Sequence, residues 1–418
     1  MISVRLDHLR GFNAEDDIAS TMFFIRAGIG LPVLHSFAGT KALIEEYVHE
    51  VVHGLNRIAD SKDPSIDPIS KREFFSELLQ TFGRTVLILH GGASFGMCHL
   101  GVVKALHERN LMPRIICGSY VGALVASLIC VQDASKLSEI FSGETIKFDA
   151  FYRNGAQGSF KRKLTRFLKH GRLFDIRVME ECARHNIGDV TFREAYQKSG
   201  LILNITVYAK RKHEVPVLLN YMTAPDLVIW TAACASLATP GIYEEVMLLS
   251  KKEDGTIYPW HPSAVKLESA RMVQEMPVKR LTELFNANNF IVSQVPSYLT
   301  WRPLRSEQYR GSFLWTLSNL ATTEVSHRFR QMKELGLVPQ IILNILNFFK
   351  APMVGDVQIT PTIYCSDIQY LLSNPDPKFV RYCIQKGEVA TWKRHSQIEM
   401  RCAIEFAIED IMRRLGNN

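Results

Sequence analysis

The stretch from Thr85 to Val131 constrains this chain most. An apolar run of strand length, Thr85-Val-Leu-Ile-Leu, leads into a glycine loop, HGGASFG. A helix-patterned segment follows, MCHLGVVKALHERN, then a short strand, RIIC, a tight turn, GSYVG, and a second helix from Gly122. The spacing predicts a βαβα unit, because a helix between two strands carries the chain back to the edge from which it left, so the strands pair in parallel. Such sheets need helices on both faces, which predicts an α/β protein with α/β/α layers. Runs at Leu201 to Val207, Val215 to Leu219 and Phe290 to Val295 supply further strands. The turn Gly118-Ser119-Tyr120-Val121-Gly122 has the frame of a nucleophile elbow, G-x-S-x-G, with Tyr120 at the position that displays the nucleophile.

The rest of the chain divides around this unit. Residues 1–80 read as an N-terminal helical region, 81–295 as the α/β domain and 296–418 as a mainly helical extension. In the first region, apolar residues at 43, 44, 47, 48, 51 and 52 mark one buried helix face, with Gly54 near its end. Ser61 to Ser70, with two prolines, reads as a linker before a helix over 71–81. With 47% apolar residues and no low-complexity tract, the 418-residue chain is an ordinary folded protein, and a formal charge of +7 favours anionic surfaces. The eight cysteines form no C-x-x-C pair and several sit in apolar runs, which points to buried thiols in a reducing compartment. The start, MISVRLDHLRGF, has no signal-peptide block. The apolar stretches at 115–131 and 335–354 are interrupted and fall short of the roughly 20 residues of a clean span. The expectation is a cytoplasmic protein held to a membrane from one side.

Other motifs point to other chemistries. His49-Glu50-Val-Val-His53 fits the zinc protease pattern H-E-x-x-H on a predicted helix, though no third ligand follows at a suitable spacing; the alternative reading is a solvated polar face. Ser159 to Arg172 places Lys161, Arg162, Lys163, Arg166 and Lys169 around an apolar stripe. That is a helix suited to an anionic lipid surface, or a docked helix with a solvated basic face. Asn344 to Met353 is a second candidate lipid contact, and His170 with Asp175 fits the H-x4-D spacing of glycerolipid acyltransferases. The loop GGASFG is not G-x-G-x-x-G, which argues against a dinucleotide, and the basic helix alone does not indicate nucleic acid.

The segment HGGASFGMCHLGVVKALHERNLMPRIICGSYVGAL resembles the oxyanion loop and elbow of patatin-like lipases, in particular the intracellular triacylglycerol lipases of fungi and plants. LIEEYVHEV, IGDVTFREAY, ILNITV, TAACASLATPGIYEEVMLL, PVKRLTELFNANNFIVSQV and GEVATWKRH resemble further segments of that subfamily in its order. The resemblance implies a three-layer core, an acyl-lipid substrate, no cofactor or metal, and a serine–aspartate dyad. Gly91, Gly92, Ala93 and Gly96 match the oxyanion loop, and Gly118 and Gly122 the elbow frame. The nucleophile position falls on Tyr120 and the acid position on Ser269, so neither dyad member is present. Glu268 precedes the acid position and Ser119 the apex, but the strain that displays the central side chain turns its neighbours elsewhere. The expectation is a hydrolase-deficient relative in lipid metabolism at the endoplasmic reticulum or a lipid droplet, with acyl lipid, the surface itself or an active lipase as partner. The alternatives are an acyl hydrolase or acyltransferase using other residues, and a zinc protease.

Overall fold

The computed structural model describes residues 41–61, 67–143, 146, 175–207, 217–238, 243, 246–260, 277–295, 320, 324, 327, 328, 331, 332, 355–363, 367, 370 and 374–416. Expectations for the basic helix carrying Lys161, Arg162, Lys163, Arg166 and Lys169, for Asn344 to Met353, and for His170, Glu268 and Ser269 lie outside the described residues.

The sheet has six strands in the order β4-β3-β2-β1-β7-β8. These are β1 (Arg84–Gly91), β2 (Ile115–Ser119), β3 (Ile202–Val207), β4 (Val217–Leu219), β7 (Ala287–Val295) and β8 (Val357–Ile359), and only β4 runs antiparallel. A separate hairpin pairs β5 (Leu249–Lys251) with β6 (Ile257–Pro259). Side chains alternate between the sheet's faces. Leu87 and Leu89 of β1 therefore join Ile116 and Leu203 in one apolar cluster, while Val86 and Ile88 join Ile115 and Cys117 in another. The first cluster is closed by α3 (Cys98–Glu108), α4 (Val121–Val131), α5 (Leu137–Ser142), α6 (Ile176–Ile187), α7 (Phe192–Ser199), α8 (Ile229–Leu237) and α10 (Pro377–Trp392). Leu281 and Phe285 of α9 (Val278–Phe285) close the second, so the sheet lies between helical layers, as the βαβα pattern predicts.

The N-terminal helices find their partner at the far end of the chain. In α1 (Lys41–Asp60), Tyr47, Val51 and Leu55 pack with Phe75 of α2 (Pro68–Phe82) and with Ile404, Ile408 and Ile411 of α11 (His395–Gly416). Helix α1 runs on through Gly54 rather than stopping there, because Leu55 and Ile58 extend its buried stripe. Helix α2 starts at Pro68, inside the expected linker, since a proline at the first helical position removes only an amide hydrogen that has no intrahelical acceptor. Lys71 of α2 is buried and its ammonium donates to the carbonyls of Ala59 and Ser61, closing the carboxyl end of α1. Seven cysteines of the described residues are free thiols, and six of them are buried. Among the described residues no helix is long and apolar enough to cross a membrane.

A buried polar cluster joins α11 to the start of β1. The Glu405 carboxyl accepts from the Thr85 amide at 2.8 Å and meets the Thr85 hydroxyl, which also accepts from the Asn289 side chain at 2.9 Å. Burial lifts the Glu405 carboxyl to about 7. Glu409, one turn on, pairs with Arg114 at 3.2 Å, and burial raises its carboxyl as well.

Candidate active site

The site forms where the parallel strands end. Strand β1 ends at Gly91, and Gly91, Gly92 and Ala93 follow one another with φ of 74°, 108° and 45°. This run bends the chain into a tight 3₁₀ turn, Ala93–Met97, that leads into α3. Successive amides in such a turn make a concavity suited to negative charge. Gly92 is required twice over: its φ is left-handed, and a Cβ there would stand 2.6 Å from the Gly96 Cα.

Strand β2 ends beside it, with His90 and Ser119 as register partners. The next residue, Tyr120, holds φ 57° and ψ −129°, and α4 begins at Val121. A bulky residue in that region is strained, by about 1–3 kcal/mol. It is held there by its surroundings. The Tyr120 amide donates to the Ser236 hydroxyl at 3.0 Å, and that hydroxyl donates to the Thr206 carbonyl at 2.8 Å. A Cβ at Gly122 would lie 2.1 Å from the Leu89 carbonyl oxygen, so glycine alone lets α4 approach β1 this closely. The expected oxyanion loop and elbow frame thus lie side by side, with a nucleophile elbow's strain intact.

The apex carries an aromatic ring. Tyr120 is 3% exposed, packs in the large apolar cluster and meets the His90 ring edge-on at 5.4 Å between centroids. Ser119 does not follow the apex outward. Its hydroxyl crosses to His90 Nδ1 at 2.7 Å, and the residue is 1% exposed. Burial pushes the His90 imidazole down to about 4, so the ring is neutral at physiological pH and able to accept from Ser119. A second pair, His99 Nδ1 with the Ser293 hydroxyl at 2.8 Å, ties α3 to β7, and burial pushes His99 down to about 3. Sequence reasoning missed His90, His99, Ser236 and Ser293. His90 had a readable signal, since aligning the starts of the two predicted strands, Thr85 with Arg114, sets it opposite Ser119.

Between the 3₁₀ turn, α4 and α6 lies a cavity of about 80 Å³ with almost wholly apolar walls, among them Ala93, Met97, Val121, Val125 and Met179. It begins next to the apex, and its lining suits a hydrocarbon chain.

The zinc-protease pattern and Asp175 of the H-x4-D pattern lie within the described residues, whereas His170 does not. His49 and His53 lie on the exposed face of α1 with Glu50 half-buried, and no cluster of three metal-binding side chains occurs among the described residues. Asp175 of the H-x4-D pattern caps α6 by accepting from the Arg177 amide at 3.2 Å, a structural task for a carboxylate.

Comparison with known proteins adds ancestry to this geometry. The family described as patatin-like phospholipase matches residues 87–273, and a domain of unknown function, DUF3336, matches residues 1–80. The triacylglycerol lipase SDP1L of Arabidopsis thaliana is 33% identical over 98% of this chain and 53% of its own length. The triacylglycerol lipase ptl1 of Schizosaccharomyces pombe is 33% identical over 98% of this chain and 76% of its own. The chain therefore spans about half of the plant relative and three quarters of the yeast one. The crystal structure of the type III effector ExoU aligns with 78% of this chain and 53% of that one, at 12% identity and a TM-score of 0.30, too loose a match to carry an argument.

Proposed function

Because this chain belongs to the patatin-like lipase family, we propose that it serves lipid metabolism as a protein that binds acyl lipid without hydrolysing it by the family's dyad. The observation that carries this reading is Tyr120, a buried ring at the apex of an otherwise intact elbow. A phenol at the end of a rigid ring is a poor substitute for a small hydroxyl beside a base. The apolar cavity next to the apex supports retained binding of a hydrocarbon chain. The net charge of +7 and the basic segment at 161–169 support a place on the cytoplasmic face of the endoplasmic reticulum or on a lipid droplet, alone or with an active lipase.

One observation favours a second reading, residual acyl hydrolysis through Ser119 and His90. As the Ser119 oxygen attacks an ester carbonyl, its proton passes to His90 Nδ1. Expulsion of the alcohol returns that proton and leaves an acyl-serine, which water cleaves to the acid and the free serine. The 2.7 Å contact meets the geometric requirement, but an imidazole lowered to about 4 is a weak base and the serine is enclosed. Turnover of p-nitrophenyl butyrate and of triacylglycerol by the purified chain decides between them. No turnover is expected. Turnover abolished by Ser119→Ala establishes the second reading, and turnover that survives this change overturns both.

A further inference from the structure

Helix α10 is fastened to α3 along one side and exposed along the other. A side chain at Gly387 would strike the Cys98 carbonyl, and one at Gly101 of α3 the Ile384 carbonyl, so the two helices lie unusually close. The outer side is a stripe stepping by three and four residues, Lys378, Arg381, Gln385, Val389 and Trp392, all exposed. Tyr382 and Lys386, half-buried, and Lys393, exposed, lie beside it. No acid falls in the stripe. The helix has one carboxylate, Glu388, and it is turned to Lys104 of α3 at 2.6 Å. Lys378, Arg381 and Lys393 have no ion pair among the described residues. Aromatic rings are interleaved with the cations. Lys386 Nζ stands 5.2 Å from the centroid of the Tyr382 ring and the Arg109 guanidinium 4.8 Å from that of Trp392, which also lies parallel to the His395 ring at 5.3 Å. At the amino end, exposed Tyr370 stacks on Phe379 at 4.7 Å, Phe379 meets Phe95 of the 3₁₀ turn at 5.4 Å, and Pro375 lines the apolar cavity. The stripe therefore starts beside the cavity next to the elbow.

We propose that the outer face of α10 docks this chain on an anionic lipid layer, with Trp392 and Val389 at the level of the head groups and Lys378, Arg381 and Lys393 against their negative charge. This rests on the lipid-metabolism reading above and names the face that meets the surface. Charge favours an anionic partner. The nearest acids, Glu108, Asp367 and Glu399, are engaged with Lys104, the Tyr382 hydroxyl and His395. Asp376 stands at the amino end of the helix, and the carboxyl end opposes an anion, but Arg109, Lys393 and Arg394 gather at that end. The rings select lipid over nucleic acid. A base needs an open ring face to stack on, and Trp392 already carries His395 and Arg109, whereas the head-group layer accepts the indole by its edge and the Val389 side chain with it. Sixteen residues at 1.5 Å each make a contact about 24 Å long, enough to lie flat on the layer with the cavity alongside.

Flotation of the full chain with vesicles of phosphatidylcholine alone, and with phosphatidylserine as about a third of the lipid, tests this. Binding to the anionic vesicles alone is expected, and its loss on raising salt from about 0.1 to 1 M, as the screening length falls from about 10 to 3 Å. Each cation neutralised at the surface should weaken binding about fivefold, so Lys378→Gln, Arg381→Gln and Lys393→Gln together should weaken it about a hundredfold, at exposed positions where the fold is not at stake. Lipid brominated near the top of its acyl chains should quench tryptophan emission in the unaltered chain and quench it less in Trp392→Phe. Binding that survives the triple change and is abolished by neutralising Lys161, Lys163 and Lys169 overturns this face and leaves the lipid reading standing. Equal binding to both vesicles, a Trp392 unquenched in the bound chain, or tighter binding to polyuridylate than to the anionic vesicles also overturns it. Binding to neither vesicle overturns the face and the surface placement together.

Discussion

Replacing Glu405 by Gln should make the protein more stable at pH 8 and leave it unchanged near pH 4.5. The carboxyl of Glu405 sits between α11 and the start of β1, 4% exposed, and burial lifts it from 4.5 to about 7 against the opposing pull of the Thr85 hydrogen bonds and Arg84, with Glu409 adding to the rise. The folded state therefore holds its proton more tightly than the unfolded chain does. The stability this confers is complete below pH 4.5 and is lost as pH rises through about 7. At about 1.4 kcal/mol per pH unit, the span from 4.5 to about 7 corresponds to a loss of about 3 kcal/mol. Glutamine keeps an acceptor for the Thr85 amide and an N–H for the Thr85 hydroxyl, and has no proton to lose. His90 and His99 act in the opposite sense, losing stability as pH falls from 6.5 toward 4 and below, so the informative quantity is the difference between the two proteins at each pH. Urea unfolding at half-unit steps from pH 4.5 to 8.5 should give a difference that grows to about 3 kcal/mol in favour of Glu405→Gln. A difference that stays constant across that range would refute the buried, proton-holding carboxyl.

Three further outcomes follow from the site. Gly122→Ala forces a Cβ against the Leu89 carbonyl at 2.1 Å, and should cost at least about 2 kcal/mol in denaturant unfolding or prevent soluble expression; a neutral result would mean that α4 does not lie where described. Tyr120→Ala empties a position that is 3% exposed and keeps its left-handed backbone, and should lower stability by about 3 kcal/mol, whereas a surface-like effect below about 0.5 kcal/mol would contradict the buried ring. Nitrogen-detected imidazole spectra should show His90 neutral down to about pH 4, and a midpoint near 6.5 would place its ring in solvent.

The architecture was legible where the pattern was long and buried on both faces. The strand from Thr85 to Leu89, the glycine loop and the elbow were placed by apolar runs and spacing alone, and β1, β2 and their helices occupy those residues. Short elements escaped: β8 and the β5–β6 hairpin have three-residue strands, too few for a period to show, and their pairing is decided by partners distant in sequence. The end of α1 was misread because Gly54 resembles a stop, and only the contact of Leu55 and Ile58 with α2 and α11 reveals that the helix continues. At the site, the absence of a serine at 120 was plain from the sequence, but the direction taken by Ser119 was not. That hydroxyl is aimed by the strand register that sets it opposite His90, a property of pairing rather than of local composition.

The central claim is that the elbow displays no nucleophile, and covalent titration with a fluorophosphonate probe read by intact-protein and peptide mass spectrometry tests it most directly. The account predicts no adduct on the unaltered chain, and one adduct per chain at position 120 in the Tyr120→Ser, Ser269→Asp double variant. A stoichiometric adduct on the unaltered chain, at Ser119 or at any other residue of the elbow and loop, would contradict it.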